Sequence, residues 1–213
     1  IGMGKCGARE LNYISDVDVV YVVAPVEPAA TPNAGAEGES APLKLTENEC
    51  STIGTELVHA LTRAIMGPAP EPALWEVDAN LRPEGKDGPL VRTVESYVQY
   101  YKRWAENWEF QALLKARPIA GSAQLGARYA RAIDPFVWES AARESFVESV
   151  QAMRARVTDN IPSHQVDRQI KLGPGGLRDI EFTVQLLQLV HGRTDAFLRV
   201  RSTLEAISAL REG

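Results

Sequence analysis

Asp16 and Asp18 stand two apart at the head of an otherwise apolar run, Val17-Asp18-Val19-Val20-Tyr21-Val22-Val23. The two-residue period of a strand puts both carboxylates on one face. Like charges this close repel, which raises one pKa unless a cation neutralises them. A second segment, Leu74 to Leu81, alternates so that Glu76, Asp78 and Asn80 share one face. Asp78 is then the third carboxylate. Magnesium favours such oxygens, keeps several waters and bridges to phosphates. Two such ions can serve both the attacking and the leaving oxygen of an in-line displacement. The chemistry predicted is metal-dependent nucleotidyl transfer, with Asp16, Asp18 and Asp78 as catalytic residues and magnesium ligands. An isolated Asp-x-Asp more often caps a turn where a strand begins. Asp78, Gly4 upstream and Ser15 just before the pair shift the balance.

The other candidates would handle phosphate or nucleotide. Gly2, Gly4 and Gly7 let backbone amides approach an anion. Their G-x-G-x-x-G spacing imitates a dinucleotide fingerprint, but no clear helix follows Gly7 and no βαβ unit appears, so that reading is rejected. Lys5 supplies charge beside Gly4, and Ser15 a hydroxyl, with a solvated lysine as the plain alternative. Arg82 could grip a phosphate bidentately or make a surface ion pair. Asn80 could orient a metal-bound water or a ribose, or close a turn. Lys115 and Arg117 could neutralise phosphate or lie on a solvated face. Trp108 is read as core in preference to an adenine platform. Arg9 and Glu10 read as a local ion pair. Arg178, Asp179 and Glu181 follow a Gly173-Pro174-Gly175-Gly176 loop at a helix N-terminus, a place suited to anions. They either close a charge network beside the carboxylates or pair on the solvent side. His59, His164 and His191 are scattered and suggest no triad with a serine.

The elements that must position these residues divide into two groups. A strand is predicted at about 16–24, stopped by Pro25. Residues 27–42 are rich in Pro, Ala, Gly, Glu and Ser and read as a mobile surface insertion. Thr46 and Glu49 form a capping-box pattern ahead of a helix whose Ile53, Leu57, Leu61 and Ile65 give one apolar face. Gly67-Pro68 ends it. The strand at 74–81 is followed by turn residues 83–88 and a short strand at 89–93 that would complete a hairpin. After Val94 helical periodicity dominates, with helices at about 94–106, 108–116, 122–132, 139–158 and 177–192, and another from 202. Leu177, Ile180, Val184 and Leu187 form a stripe expected in the core. The fold class is α+β: a small mixed sheet with helices over 1–93, then an α-helical domain over 94–213.

Bulk properties set limits. Of 213 residues, 45% are hydrophobic and 24% charged, enough apolar content for a packed core. The net charge of -5 argues against a general nucleic-acid binder, but not against a nucleotide substrate met by metal ions and a few cations. Cys6 and Cys50 form no Cys/His cluster, so zinc is not expected, and free thiols in a reducing cytoplasm are the simpler reading. No apolar run approaches the roughly 20 residues that span a bilayer, and no signal peptide is seen. Ile1 is not an initiator methionine, and the chain reads as a segment of a larger protein.

Four ordered blocks carry a resemblance. They are Gly2-Met3-Gly4-Lys5-Cys6-Gly7 through Ser15-Asp16-Val17-Asp18; Val77-Asp78-Ala79-Asn80-Leu81-Arg82-Pro83; Trp108-Glu109 with Lys115-Ala116-Arg117; and Lys171-Leu172-Gly173-Pro174-Gly175-Gly176-Leu177-Arg178-Asp179-Ile180-Glu181-Phe182. Together they span nearly the whole chain. The chain resembles the polymerase-β-like nucleotidyltransferase superfamily. Within it, the chain resembles the bacterial glutamine synthetase adenylyltransferase/adenylyl-removing enzymes. That resemblance implies a polymerase-β-like fold, Mg2+ as cofactor, and a parent with two related halves. One half adds AMP from ATP to a tyrosine of glutamine synthetase; the other removes it by phosphorolysis, giving ADP. Arg178 in the last block favours the removing half. Addition of AMP is the alternative, and a catalytically inactive partner-binding domain is a second. The implied partners are glutamine synthetase, ATP or ADP, inorganic phosphate and, through the parent, a nitrogen-regulatory signalling protein. Nucleic acid and membrane are not implied, and the implied location is cytoplasmic.

Overall fold

A computed structural model describes residues 1–13, 15–25, 45–73 and 75–212. The insertion expected at 27–42 and the first residue of the strand expected at 74–81 lie outside them. The apolar run after Ser15 does not form one strand. Val17–Asp18 (β1) pairs in parallel with Val77–Asp78 (β3), and Tyr21–Val23 (β2) pairs in parallel with Val91–Thr93 (β4). Between them Val20 N–H bonds to Ile1 O at 2.9 Å, and Met3 N–H to Asp18 O at 2.8 Å. The N-terminal residues therefore edge the same run from its other side. The result is two small parallel sheets in a helix-rich α+β fold, instead of one mixed sheet.

The hairpin expected at 89–93 is absent. Both β3 and β4 run parallel to neighbouring parts of one extended run, so they point the same way and cannot fold back on each other. The loop between them is built around Arg82. Its Nη1 donates to Ala79 O (2.8 Å), its Nε to Gly88 O (3.2 Å) and its Nη2 to Lys86 O (3.2 Å). A guanidinium with donors on three sides suits this task.

Gly7, with no clear helix expected after it, lies in the short helix α1, Gly4–Ala8. It ends at Arg9, whose φ of 62° is left-handed. Helix α2, Glu47–Met66, has the predicted capping box: Thr46 N–H donates to Glu49 Oε2 at 2.7 Å, and Glu49 N–H to Thr46 Oγ1 at 3.3 Å. Its expected apolar face is turned outward. Ile53 and Leu57 are 44% and 65% exposed, and Leu61 and Ile65 are also exposed. The face that meets β2 and β4 carries Cys50, Gly54 and Val58. A Cβ on Gly54 would lie 3.0 Å from Val91 Cγ1. The absence of a side chain there lets the helix approach the sheet, so close packing selects that face over the more hydrophobic one.

The helices that follow are α3 (Val94–Arg103), α4 (Asn107–Leu113), α5 (Ala123–Glu139), α6 (Phe146–Asp159), α7 (Leu177–His191) and α8 (Thr203–Glu212). Helix α5 continues past 132 through Pro135, burying Ile133, Val137 and Trp138. The helix expected from 139 starts only at Phe146, after a 3-10 turn at Ser140–Ala142 and a left-handed Ser145. On α7, Leu177, Ile180 and Leu187 of the expected core stripe are exposed. The buried face holds Val184, Gln188 and Leu189, with Gln188 Nε2 donating to Leu198 O and Val200 O, both at 2.8 Å. The core joins Met3 and Val20 to Tyr97, Phe110, Tyr129 and Leu189. Tyr97 and Tyr129 meet edge-to-face at 5.1 Å, and Tyr97 Oη donates to Tyr21 O at 3.1 Å.

One side chain ties four distant segments. Lys115 is 6% exposed, and its Nζ donates to Glu10 Oε2 (3.0 Å), Glu181 Oε1 (3.2 Å) and Thr203 Oγ1 (3.1 Å). Glu10 therefore pairs across the fold and not with Arg9. Burial alone would raise the Glu10 carboxyl, but Lys115, Thr203 and Ser202 hold it below its usual range. Its share of stability is present above the ordinary value of 4.5 and is lost as pH falls through the lower folded value. Lys115→Met keeps the apolar stem but leaves two carboxylates without their cation. Urea unfolding should show a loss of about 3 kcal/mol, the low end for a buried pair stripped of one partner. A loss under about 1 kcal/mol would contradict the tie.

Candidate functional site

The parallel register sets Asp18 directly beside Asp78. Paired residues in a parallel ladder point to the same face, on strands about 4.8 Å apart. Asp18 is half-buried and Asp16 exposed. Burial first, then the charges of Asp78 and Asp16, push the Asp18 carboxyl up; Arg178 and Lys171 pull it back. Asp78 Oδ1 accepts the Asn80 N–H at 2.6 Å, so Asn80 closes a turn with its backbone. Gly4 presses against this pair. Its φ is +46°, and a Cβ there would lie 2.4 Å from Asp18 Oδ2.

In front of Asp18 opens a cavity of about 320 Å3. One wall is Gly4, Lys5, Ser15, Asp16 and Asp18. The other is made by one face of α4 (Trp108, Gln111, Ala112), continued by Lys115 in the turn just after it, and one face of α7 (Arg178, Glu181, Phe182, Gln185). Both faces follow the spacing i, i+3, i+4, i+7, which stacks side chains along a helix. Helix α4 starts where it does because Glu109 Oε1 accepts the Glu106 N–H at 2.9 Å. Helix α7 is preceded by a clamped loop. Buried Arg154 bonds to Asp179, and its Nη2 donates to Leu172 O (3.0 Å) and Gly173 O (3.2 Å). Arg178 N–H donates to Lys171 O at 2.9 Å. This loop brings Lys171 to the cavity rim.

Of the residues predicted for the site, Gly4, Lys5, Ser15, Asp16, Asp18, Lys115 and Arg178 line the cavity. Asp78 adjoins it through Asp18. Asn80 and Arg82 do not line it, and Arg82 spends its donors on its own loop. Lys115 reaches the wall with every ammonium proton already donated, so it shapes the site and has none left for a phosphate. Lys5 Nζ bonds to Asn12 Oδ1 at 3.2 Å. Arg117 donates to Gly7 O (2.7 Å) and Cys6 O (2.9 Å), closing the end of α1. Trp108 is half-buried on the cavity wall and outside the core cluster, against the reading as core. Sequence reasoning did not single out Lys171, Gln111 or Gln185. For Lys171 the signal was a cation opening the glycine loop; for the glutamines it was their one-turn spacing from Trp108, Lys115 and Glu181. Asp179 and Glu181 join a charge network through Arg154 and Lys115.

The carboxylates suit a hard divalent cation. Among the described residues, no three His, Cys, Asp or Glu side chains already form a cage. The register pairs Asp18 with Asp78, while Asp16 precedes the paired segment. Magnesium retains several waters and needs only one or two carboxylates, so this donor set fits it, and the close approach of Gly4 fixes one oxygen of Asp18.

Residues 1–132 match the family model described as glutamate-ammonia ligase adenylyltransferase, and residues 151–213 match the one described as GlnD PII-uridylyltransferase. Among curated relatives, the bifunctional glutamine synthetase adenylyltransferase/adenylyl-removing enzyme of Leifsonia xyli subsp. xyli is 60% identical over 99% of this chain and 20% of its own length. Its counterpart in Streptomyces coelicolor is 54% identical over 100% of this chain and 20% of its own, and that in Bifidobacterium longum 53% over 100% and 19%. The chain spans about a fifth of the length of these relatives.

The repulsion at Asp18 has a measurable consequence. A carboxyl raised in the folded state destabilises the fold when ionised, so stability rises as pH falls through its raised folded value towards the ordinary value of 3.8. In chelator, Asp18→Asn should therefore raise Tm at pH 7. The gain should vanish below pH 3.8, the ordinary aspartate value, where Asp18 is protonated in both states. Calorimetric scans showing an equal or lower Tm at neutral pH would contradict the repulsion.

Proposed function

The chain belongs to the glutamate-ammonia ligase adenylyltransferase family, and from that premise we propose that it carries the site that removes AMP from an adenylylated tyrosine of glutamine synthetase. The observation that carries the reading is the Asp18–Asp78 pair, set in register at the mouth of a cavity whose rim bears Lys5, Lys171 and Arg178. Two carboxylates, with Lys5 on their own wall and Lys171 and Arg178 facing them, suit a phosphodiester held through metal on one side and by direct charge on the other. On this reading residues 1–93 form a polymerase-β-like catalytic domain and 94–213 a helical domain that supplies the facing wall.

The reaction is phosphorolysis. An oxygen of inorganic phosphate attacks the adenylyl phosphorus, the bond to the tyrosine oxygen breaks, and the phenolate leaves and takes up a proton. The products are ADP and unmodified tyrosine. Phosphate is already an anionic nucleophile and needs no strong base, so the protein's task is positioning and charge neutralisation. Lys171 and Arg178, both close enough to pull the Asp18 pKa down, would hold the incoming phosphate. Lys5 and the Gly4 backbone would face the adenylyl phosphate, and Ser15 would donate its hydroxyl at the same edge. Asp18 and Asp78, with Asp16 beside them, would hold Mg2+, which when bound neutralises and orients the phosphoryl oxygens.

The partners of this reaction are adenylylated glutamine synthetase, phosphate and ADP, in the cytoplasm. A nitrogen-regulatory signalling protein would act through the rest of the parent chain. The forward reaction, from ATP to adenylylated tyrosine and pyrophosphate, is the second reading, favoured by the description of the family model over 1–132.

Full-length protein given adenylylated glutamine synthetase should release ADP only when phosphate is supplied. Changing Asp16→Asn together with Asp18→Asn should slow that release by about 100-fold or more. An unchanged rate would overturn the site assignment. Pyrophosphate release from ATP, lost in the same variant, would instead assign the forward reaction.

A further inference from the structure

The inner end of the cavity has an arrangement that phosphate chemistry does not use. Helix α4, with the turn that follows it, is joined to α7 by two polar rungs, Lys115–Glu181 and Gln111–Gln185. Each rung moves four residues forward on one helix and four back on the other, so the helices run antiparallel with rungs one turn apart. The charged rung is closed, because Glu10 and Thr203 take the remaining protons of Lys115. The amide rung is not. Gln111 is 3% exposed, its Nε2 donates to Gln185 Oε1 at 2.7 Å, and its own Oε1 is buried with no hydrogen-bond partner among the described residues. Leaving a buried acceptor unmade costs about 1–3 kcal/mol, which is a reason to ask what this rung is for.

The direction of that hydrogen bond fixes Gln185. With Oε1 turned to Gln111, its Nε2 lies on the other branch of the amide, and Gln185 lines the cavity. Turning both amides over would leave a buried N–H unmade in place of a carbonyl, and orphaned N–H groups are the rarer of the two. Gln185 therefore presents its amide N–H donors, and the second lone pair of its oxygen, in a fixed order. A side-chain amide in this state matches the edge of a 6-aminopurine: the oxygen accepts from the exocyclic amine and the nitrogen donates to the adjoining ring nitrogen. A 6-oxopurine has no donor at position 6 and meets the amide oxygen with another oxygen. Trp108 stands one turn from Gln111 on the same face of α4, half-buried at the cavity wall, with an aromatic surface on which a base can stack.

We propose that Trp108, Gln111 and Gln185 form the nucleobase subsite, with Gln185 reading the 6-amino edge of adenine. Gln111 is the positioning residue that keeps the amide from turning over. The assignment rests on the nucleotide reading of the cavity and adds the source of its base selectivity.

The test is calorimetric titration of ADP and of IDP, with Mg2+, into the full-length protein and into variants altered only here. Wild type should bind ADP about 10-fold or more tightly than IDP. Gln185→Leu should bring the ratio to about twofold or less, mainly by weakening ADP. Gln111→Leu should also lower it, but by strengthening IDP, because the freed amide can turn over; loss of stability alone would not improve IDP binding. Should circular dichroism show that Gln185→Leu does not fold, the near-isosteric Gln185→Glu decides, with the same fall in ratio expected. A ratio unchanged in a folded Gln185 variant that still binds ADP overturns the subsite alone. No binding of either nucleotide by wild type overturns the subsite and the nucleotide reading together.

Discussion

The buried ammonium of Lys115 is the point on which the architecture turns. It is taken from water and surrounded by two carboxylates and a hydroxyl, so that four parts of the chain meet there: the loop after α1 (Glu10), the segment after α4 (Lys115 itself), α7 (Glu181) and the start of α8 (Thr203). Such a charge is tolerable only when every proton is donated and the counter-charges stay in place. The backbone beside it is equally constrained. A Cβ on Gly7 would lie 1.8 Å from Lys115 O, so α1 rests directly on the chain that carries the lysine. Arg117 holds the end of that helix through Gly7 O and Cys6 O. The N-terminal segment, whose Met3 N–H bonds to Asp18 O, thus has its position set from the helical side.

This division of labour explains the electrostatics of the cavity. The cations near the carboxylates are of two kinds. Lys115 is spent internally. Lys171 lies on an exposed loop and Arg178 at the first turn of α7, where it is only loosely engaged with Glu181 at 3.8 Å and lies over Phe182. The first kind organises and the second remains available. The loop carrying Lys171 is itself held by Arg154 from beneath, so a surface cation inherits a fixed place from a buried one.

Much of the carboxylate face was legible because alternation on a strand is a local property. Asp16, Asp18 and Asp78 could be marked from spacing, and so could the capping box at Thr46. What spacing could not supply was register, which alone sets Asp18 against Asp78 and leaves Asp16 outside the pair. Apolar stripes misled twice, on α2 and on α7, because a hydrophobic period says which residues are alike and not which face a neighbour can approach. Gly54 decided that on α2, and the carbonyls of Leu198 and Val200, which Gln188 serves, did so on α7. The loop after Asp78 looked like a hairpin turn because its Pro, Gly and Asp residues suit one. Its internal bonds to Arg82 were invisible in composition. Trp108 was misplaced for the opposite reason: its bulk suggested core, whereas its neighbours at one-turn spacing placed it on a wall.

The long reach of the Lys115 knot bears on the order in which the site comes into being. Glu10 meets Thr203 across 193 residues, and each parallel strand pair joins positions some 60 to 70 apart. Closing such loops lowers entropy before any contact rewards it, which slows folding more than it weakens the final state. In chain order the three aspartates precede Lys171, Arg178 and Gln185, and the knot closes only with α8. During synthesis the acidic cluster is therefore made before the α7 side of its opposite wall. Docking of α8 against Lys115 is in this sense a latch closed once per molecule.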